Sequence, residues 1–277
     1  MANLTVTLID VGWGDSILLE STDDNGTVFR GLIDSNDTTT LRSSHLFLKR
    51  HFEKAGININ DDKPIFDFVM LSHAHADHAQ GLKAIMKNFG TEHFWYPKSL
   101  EWASFSHLLS YARRSNNVQQ QLALNNQTPL PRLGAADMSV LWPRQGDHNI
   151  DQHNENNNSI VLQITLGQHS VLLTGDAEAE VWQHVAPSIP PSTQFFKVPH
   201  HGSVNGSLDN GAPAWLNDCP NGAMLGISSH VRPFGHPHQQ VVNLFDNNSR
   251  NYLRTDRHYH IAFTTDGVNQ PVLKYSH

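Results

Sequence analysis

An α/β fold of two sheets packed face to face, with helices on their outer faces, is predicted by three observations. Short apolar runs of strand character recur along the 277 residues, helical repeats are interspersed among them in both halves, and no linker, low-complexity tract or fixed-period repeat separates those halves. A chain of this length can bury a sizeable core, and the even spread of turn signals points to one domain over residues 1–277.

Residues 4–10, 16–20 and 28–34 read as short strands broken by Gly-rich or Asp/Asn-rich turns, an antiparallel meander. Leu41, His45, Leu48, Phe52 and Ala55 recur at steps of four and three, which predicts a helix with Thr caps ahead and Gly56 as its stop. Residues 65–71 form a buried strand, and 77–88 a helix entered directly from the turn that follows it. A second helical stretch is expected over 102–124, then a strand at 139–142 and a polar loop over 144–158. The strand and helix pattern then recurs: 160–166 and 170–174 make a hairpin across Gly167, 177–184 is helical, and 195–198 and 223–227 are strands. A helix over 237–245 and strands at 259–264 and 272–275 close the chain.

Charge and cysteine usage narrow the chemistry. The single cysteine, Cys219, excludes an internal disulfide and a cysteine-based zinc cage. A formal charge of −7, from 19 basic and 26 acidic residues, predicts no broad basic surface for a long polyanion, while leaving local basic groups for a small anionic or ester substrate. The start has neither a basic n-region nor an apolar h-region, and no apolar run is long enough to span a membrane, so a cytoplasmic location without membrane contact is expected.

The most informative stretch follows the strand at 65–71. His73, His75, Asp77 and His78 crowd three imidazoles and a carboxylate onto one turn, and such groups are costly to bury without a partner. Imidazole and carboxylate together suit zinc, iron or manganese, and four such groups can converge on two neighbouring ions. Isolated histidines such as His45, His51, His93, His107 and His184 read as ordinary surface or helix residues. Asp176 follows a buried strand and Gly175, where it serves as a helix cap or, combined with the His-rich turn, as a bridge between metals. His200 and His201 also end a strand; on an extended chain they point to opposite sides, so one is expected to bind metal, with His200 preferred. His201 is then an outer group, a proton carrier or a substrate contact. His236 is expected at the N-terminus of the helix at 237–245, where backbone N–H groups attract anions. Asn156, Asn157, Asn158 and Ser159 can orient water or ligand, or form a polar turn. The glycines of the turn at 10–15 are not spaced as a dinucleotide fingerprint, and no helix follows.

Taken together, Asp10 to Asp15 with Gly12, Trp13 and Gly14, the cluster at 73–78, the Asn run before Ser159, Gly175 and Asp176, His200 to Ser203, Gly235 to Pro237, and Arg254 to Asp256 resemble the metallo-β-lactamase superfamily. Within it they look like the hydrolase domain attached to bacterial competence DNA-uptake channels and like phosphorylcholine esterases. The resemblance implies an αββα sandwich of two mixed β-sheets and a centre of two divalent metal ions, usually zinc and in some members manganese. By matching positions, His73 and His75 would hold one ion, Asp77 and His78 the other, with Asp176 bridging and His200 completing the second. Two departures stand out. A histidine often supplied between the first motif and the bridging aspartate is replaced by residues 156–159 unless His148 or His153 swings in, and Trp13 stands where this branch commonly has glutamine.

The expected function is therefore metal-dependent hydrolysis of phosphoric esters, phosphodiesters in particular, with nucleic acid a possible substrate and a hydroxide bridging the ions as nucleophile. Asp77 would orient that hydroxide, His201 or His236 would hydrogen-bond the anion or protonate the leaving group, and Asn158, Ser159 and His236 would contact substrate. The alternatives are hydrolysis of a lactone, thioester or β-lactam on the same site, and a non-catalytic binding module of the same fold.

Overall fold

The computed structural model describes residues 2–98, 106–146 and 154–275. The chain opens with the meander β1 (Asn3–Leu8), β2 (Ile17–Thr22) and β3 (Val28–Ile33). Helix α1 (Ser43–Lys54) carries it to β4 (Phe66–Met70), which lies parallel to β3. Helices α2 (Ala76–Ala79) and α3 (Leu82–Phe89) lead to β5 (Thr91–Pro97), and α4 (Ser106–Arg114) to β6 (Val118–Leu124), each strand added parallel to the last. The second half begins with the antiparallel β7 (Asp137–Trp142), β8 (Val161–Leu166) and β9 (His169–Leu173). Then follow α5 (Ala179–Val185), β10 (Thr193–Lys197), α6 (Val204–Ser207) and a small ribbon of β11 (Leu208–Asp209) and β12 (Ala212–Pro213). Strand β13 (Met224–Ile227), α7 (Gln239–Asn247), β14 (Tyr252–Arg254) and α8 (Thr255–His258) complete this half. Finally β15 (Ile261–Thr265) crosses back to lie beside β1, and β16 (Val272–Lys274) pairs with β15 at the sheet edge.

Among the described residues the first sheet runs β16-β15-β1-β2-β3-β4-β5-β6 and the second β14-β13-β10-β9-β8-β7, both mixed. Side chains alternate across each strand, so one face of each sheet supplies a shared core and the other receives helices. In β2, Ile17 and Leu19 enter the inter-sheet core with Leu162, Ile164, Val171 and Phe195 of the second sheet. Leu18 points the other way, into a layer with Leu48 and Phe52 of α1 and Met86 and Phe89 of α3. On the far side Leu172 and Phe196 pack under Val181 and Trp182 of α5 and Phe245 of α7. This is the αββα order of layers.

Several local expectations are corrected. Residues 118–124 are an edge strand, not the end of a helix over 102–124: the Gln- and Leu-rich run is drawn out by pairing with β5, a strand the sequence pattern did not reveal. Residues 102–105 of that expected helix lie outside the described residues. The helix expected over 77–88 is split, because Gly81 donates to the Ser35 carbonyl and has no room for a side chain, its Cβ position lying 2.1 Å from Ser35 Oγ. Helix α7 begins at Gln239 rather than Pro237, with His238 as its cap.

Candidate metal centre

The site gathers where β1, β3, β4, β9, β10 and β13 end along one rim of the two sheets, the usual place for ligands on parallel strands. Strand β3 delivers Asp34, which is fully buried and receives the Ser72 amide at 2.7 Å and the Ser72 hydroxyl at 2.6 Å. The same carboxylate lies 2.7 Å from His78 Nδ1. Strand β4 delivers His73 and, through the turn into α2, His75, Asp77 and His78. Strand β9 delivers Asp176 through Gly175, whose φ of +52° is a left-handed conformation that glycine adopts without strain. The Asp176 amide donates to Ser159 Oγ at 2.9 Å, which fixes the turn.

After β10 the chain leaves the extended state. His200 (φ 47°) and His201 (φ 54°) both have left-handed backbones, so the side-to-side alternation of a strand does not apply to them. His201 Nε2 lies 3.3 Å from Asp176 Oδ2 and 3.5 Å from Asp77 Oδ2, while its Nδ1 is 2.9 Å from the Ser228 carbonyl. His200 Nε2 is 3.9 Å from Asp176, and its Nδ1 is 3.0 Å from Glu178. His78 Nε2 is 3.3 Å from Asp176 Oδ2 and 3.8 Å from Asp77 Oδ2. Ligand atoms of Asp77, His78, Asp176 and His201 all lie within 4.8 Å of one another. His73 Nε2 sits 3.9 Å from Asp176, and the His73 and His75 rings touch edge to face at 4.7 Å.

A test of fit is the fate of the ring nitrogens. His73, His78 and His201 engage Nδ1 with Ser72, Asp34 and the Ser228 carbonyl, and each leaves a buried Nε2 without a hydrogen-bond partner. Asp176 Oδ1 is likewise buried and without a hydrogen bond, with the Lys197 ammonium 3.7 Å away. Outer groups that fix the tautomer and leave several nitrogens aimed at one carboxylate form a donor set suited to a borderline divalent metal.

The carboxylates of the site favour positive charge at its centre. Desolvation disfavours charge on His201, yet Asp176 and Asp77 outweigh it and push the ring up to about 10. Burial also opposes charge on His78, and Asp176, Asp34 and Asp77 again raise it well above its ordinary range. Burial pulls His236 down to about 4, helped by the neighbouring His201 and His200.

A cavity of about 230 Å³ opens above these groups, lined by Trp13, His75, Asp77, Asp176, His200, His201, Phe234 and His236. His236 therefore stands in the cavity wall and not at a helix N-terminus, where His238 accepts from Gln240 instead. Asn158 and Ser159 are placed apart from this wall: Asn158 donates to Glu155, and Ser159 supports Asp176. Asn156 and Asn154 both donate to Glu178, so this run braces the partner of His200. His148 and His153 lie outside the described residues.

The motifs did not single out Lys197 or Asp34. Lys197, fully buried, reaches Asp15 at 2.5 Å and Asp176 Oδ1 at 3.7 Å. The available signal was the one used for Asp176, a charged residue closing an apolar strand.

The profile of the metallo-beta-lactamase superfamily matches residues 61–212, more than half of the chain. The chain belongs to that superfamily. ComE operon protein 3 of Bacillus subtilis is 29% identical over 266 residues, covering 93% of this chain and 32% of that protein. Recombination protein 2 of Haemophilus influenzae is 25% identical over 178 residues, covering 64% of this chain and 20% of that protein. The chain thus spans a third or less of the length of these curated relatives, which agree with the competence-associated branch that its motifs resemble. Two solved structures are similar in fold, the first described as a metallo-beta-lactamase fold protein. YhfI of Bacillus subtilis gives a TM-score of 0.50 at 16% identity, over 90% of this chain and 95% of that one. A variant of the β-hydroxylase CmlA gives 0.53 at 12% identity, over 94% and 53%. No helix among the described residues is long and apolar enough to cross a membrane.

Proposed function

We propose that this chain is a divalent-metal-dependent hydrolase of phosphoric esters, phosphodiesters in particular. In this reading Asp77, His78, Asp176 and His201 hold one ion, and His73 and His75 hold a second against Asp176. The observation that carries it is the set of three buried imidazoles whose Nδ1 atoms are engaged and whose Nε2 atoms lie 3.3 to 3.9 Å from one Asp176 oxygen. Zinc suits these nitrogen and carboxylate donors best, with manganese the competitor.

A divalent ion held there supplies Lewis acidity, polarising a phosphoryl oxygen and lowering the pKa of water from about 15.7 to about 7. The protein's own groups do the rest. Asp34 and the Ser228 carbonyl hold His78 and His201 in one tautomer and orientation. His200, steadied by Glu178, and His236 face the cavity, and His236 is neutral at pH 7, so one ring N–H can donate to a phosphoryl oxygen. His200 and His201 thus exchange the roles first expected of them. Trp13 and Phe234 close the apolar side of the cavity and limit water around the reacting group. The name of one relative, a recombination protein, also favours a nucleic-acid phosphodiester over a lactam.

Zinc- and manganese-loaded protein assayed with bis-p-nitrophenyl phosphate and nitrocefin tests this reading. Turnover of the phosphodiester, lost in His78→Ala, is the expected result. Turnover of nitrocefin alone would overturn the phosphoric-ester assignment, and a protein that takes up no metal would make the chain a binding module.

A further inference from the structure

The chain's net charge of −7 conceals a sharp asymmetry. The three helices covering the outer face of the first sheet are basic. Arg42, Lys49, Arg50 and Lys54 lie on or at the start of α1, Lys83 and Lys87 on α3, and Arg113 and Arg114 on α4, whereas Glu53 is the one acidic residue within these helices. All eight basic side chains are exposed. The helices form one surface: the His45 ring of α1 lies tilted against Phe89 of α3 at 5.2 Å, and the Lys83 ammonium lies 5.6 Å over the Tyr111 ring of α4.

Between α1 and α3 runs a cleft of about 620 Å³, lined in part by Thr38, Arg42, His45, Gln80, Lys87 and Asn88. Its acidic residue, Asp37, is already engaged, accepting from the Ser44 and His45 amides at 2.9 and 2.8 Å and so offsetting the α1 N-terminus. Arg42 and Lys87 are the cations of the cleft, and such side chains track a phosphate backbone. A hydrogen-bonded chain places the cleft close to the cavity over the candidate metal centre. Gln80 donates to Asn36, Asn36 donates to the Trp13 carbonyl, and Trp13 lines the cavity.

We infer that this helical face is a binding track for the phosphate backbone of a nucleic-acid strand, running from the cleft toward the metal centre. A membrane surface fits less well, because α1 turns Leu48 and Phe52 into the sheet and leaves Leu46 as its one exposed large apolar residue, and the charged groups border a concave cleft and not a flat face. The inference deepens the phosphodiesterase reading and rests on it only for the fate of the bound strand. It also replaces the expectation, drawn from average charge, that no broad basic surface exists.

The test is fluorescence anisotropy of a labelled single-stranded oligodeoxynucleotide titrated with the whole chain across a salt series. Arg42→Gln/Lys87→Gln is compared with Arg132→Gln/Lys274→Gln, which removes the same charge elsewhere. The cleft variant is expected to bind at least about tenfold more weakly and to lower the slope of log K against log salt by about 1.4, at about 0.7 per phosphate contact. The remote variant is expected to leave the slope near wild type. Equal losses in both variants, no binding by wild type at low salt, or binding to phosphatidylserine vesicles but not to the oligonucleotide would each overturn the track. Hydrolysis of bis-p-nitrophenyl phosphate, measured in parallel, reports on the metal centre alone, so failure of the track and failure of the phosphodiesterase reading are told apart.

Discussion

At His200 and His201 the backbone decides which imidazole meets the carboxylates. Their residue types and their place after a strand were legible in the sequence, but the choice between them was not, because it depends on two consecutive left-handed residues that no strand rule anticipates. His201→Ala is expected to weaken zinc affinity more than about 100-fold and His200→Ala less than about tenfold, measured by competition with a chromophoric chelator. Protons and metal compete for the same lone pairs, and the imidazoles of His78 and His201 are raised by Asp176 and its neighbours against the pull of burial. Zinc binding should therefore release protons and strengthen as pH rises, which calorimetry in buffers of different ionisation enthalpy would show. Affinity independent of pH would contradict this. Asp34 and Lys197 stayed hidden for another reason: their importance lies in contacts with residues distant in sequence, His78 44 positions away in one case and Asp15 of the first turn in the other.

The strands and helices were mostly legible where a single period dominates, as in α1 and the hairpin of β8 and β9, and illegible where a neighbour overrides local preference. Strand β6 is such a case: a run of Gln, Leu and Ala has helical propensity, and only pairing along all of β5 extends it. The turn after β9 shows how an element aims chemistry. Gly175 needs its left-handed backbone, and a Cβ there would sit 2.8 Å from the Ser159 side chain. Gly175→Ala is thus expected to cost about 2 kcal/mol or more in urea unfolding and to displace Asp176, with a matching loss of metal affinity. Glu20 of β2 ties α1 and β3 together through His51 at 2.8 Å and Arg30 at 3.3 Å. Burial would raise its carboxyl, but His51 and Arg30 prevail and lower it. Its contribution is therefore complete above the unfolded carboxyl range and lost as pH falls through the depressed value. Glu20→Gln should flatten the acid side of the stability profile, and an unchanged profile would count against the tie.

Over the whole molecule, the alternation of strands and helices in both halves was enough to indicate two sheets with helices outside, and the motif order indicated the superfamily. The distribution of charge was not legible from totals, because eight cations on three helices are averaged away by acids elsewhere. We propose that the layers unfold as one unit, since the inter-sheet core takes Leu4 from the first strand and Phe263 from β15 together with Val171 and Phe195 of the second sheet. Coincident transitions by tryptophan fluorescence and circular dichroism are expected, and two separated transitions would divide the chain. Zinc at about 100 times its dissociation constant should add about 2.7 kcal/mol. If the rim where the sheets meet grips a cation, anomalous diffraction from zinc-soaked crystals locates it. A peak enclosed by Asp77, His78, Asp176 and His201 is the expected result, and a peak bound elsewhere, or none at that rim, would contradict it.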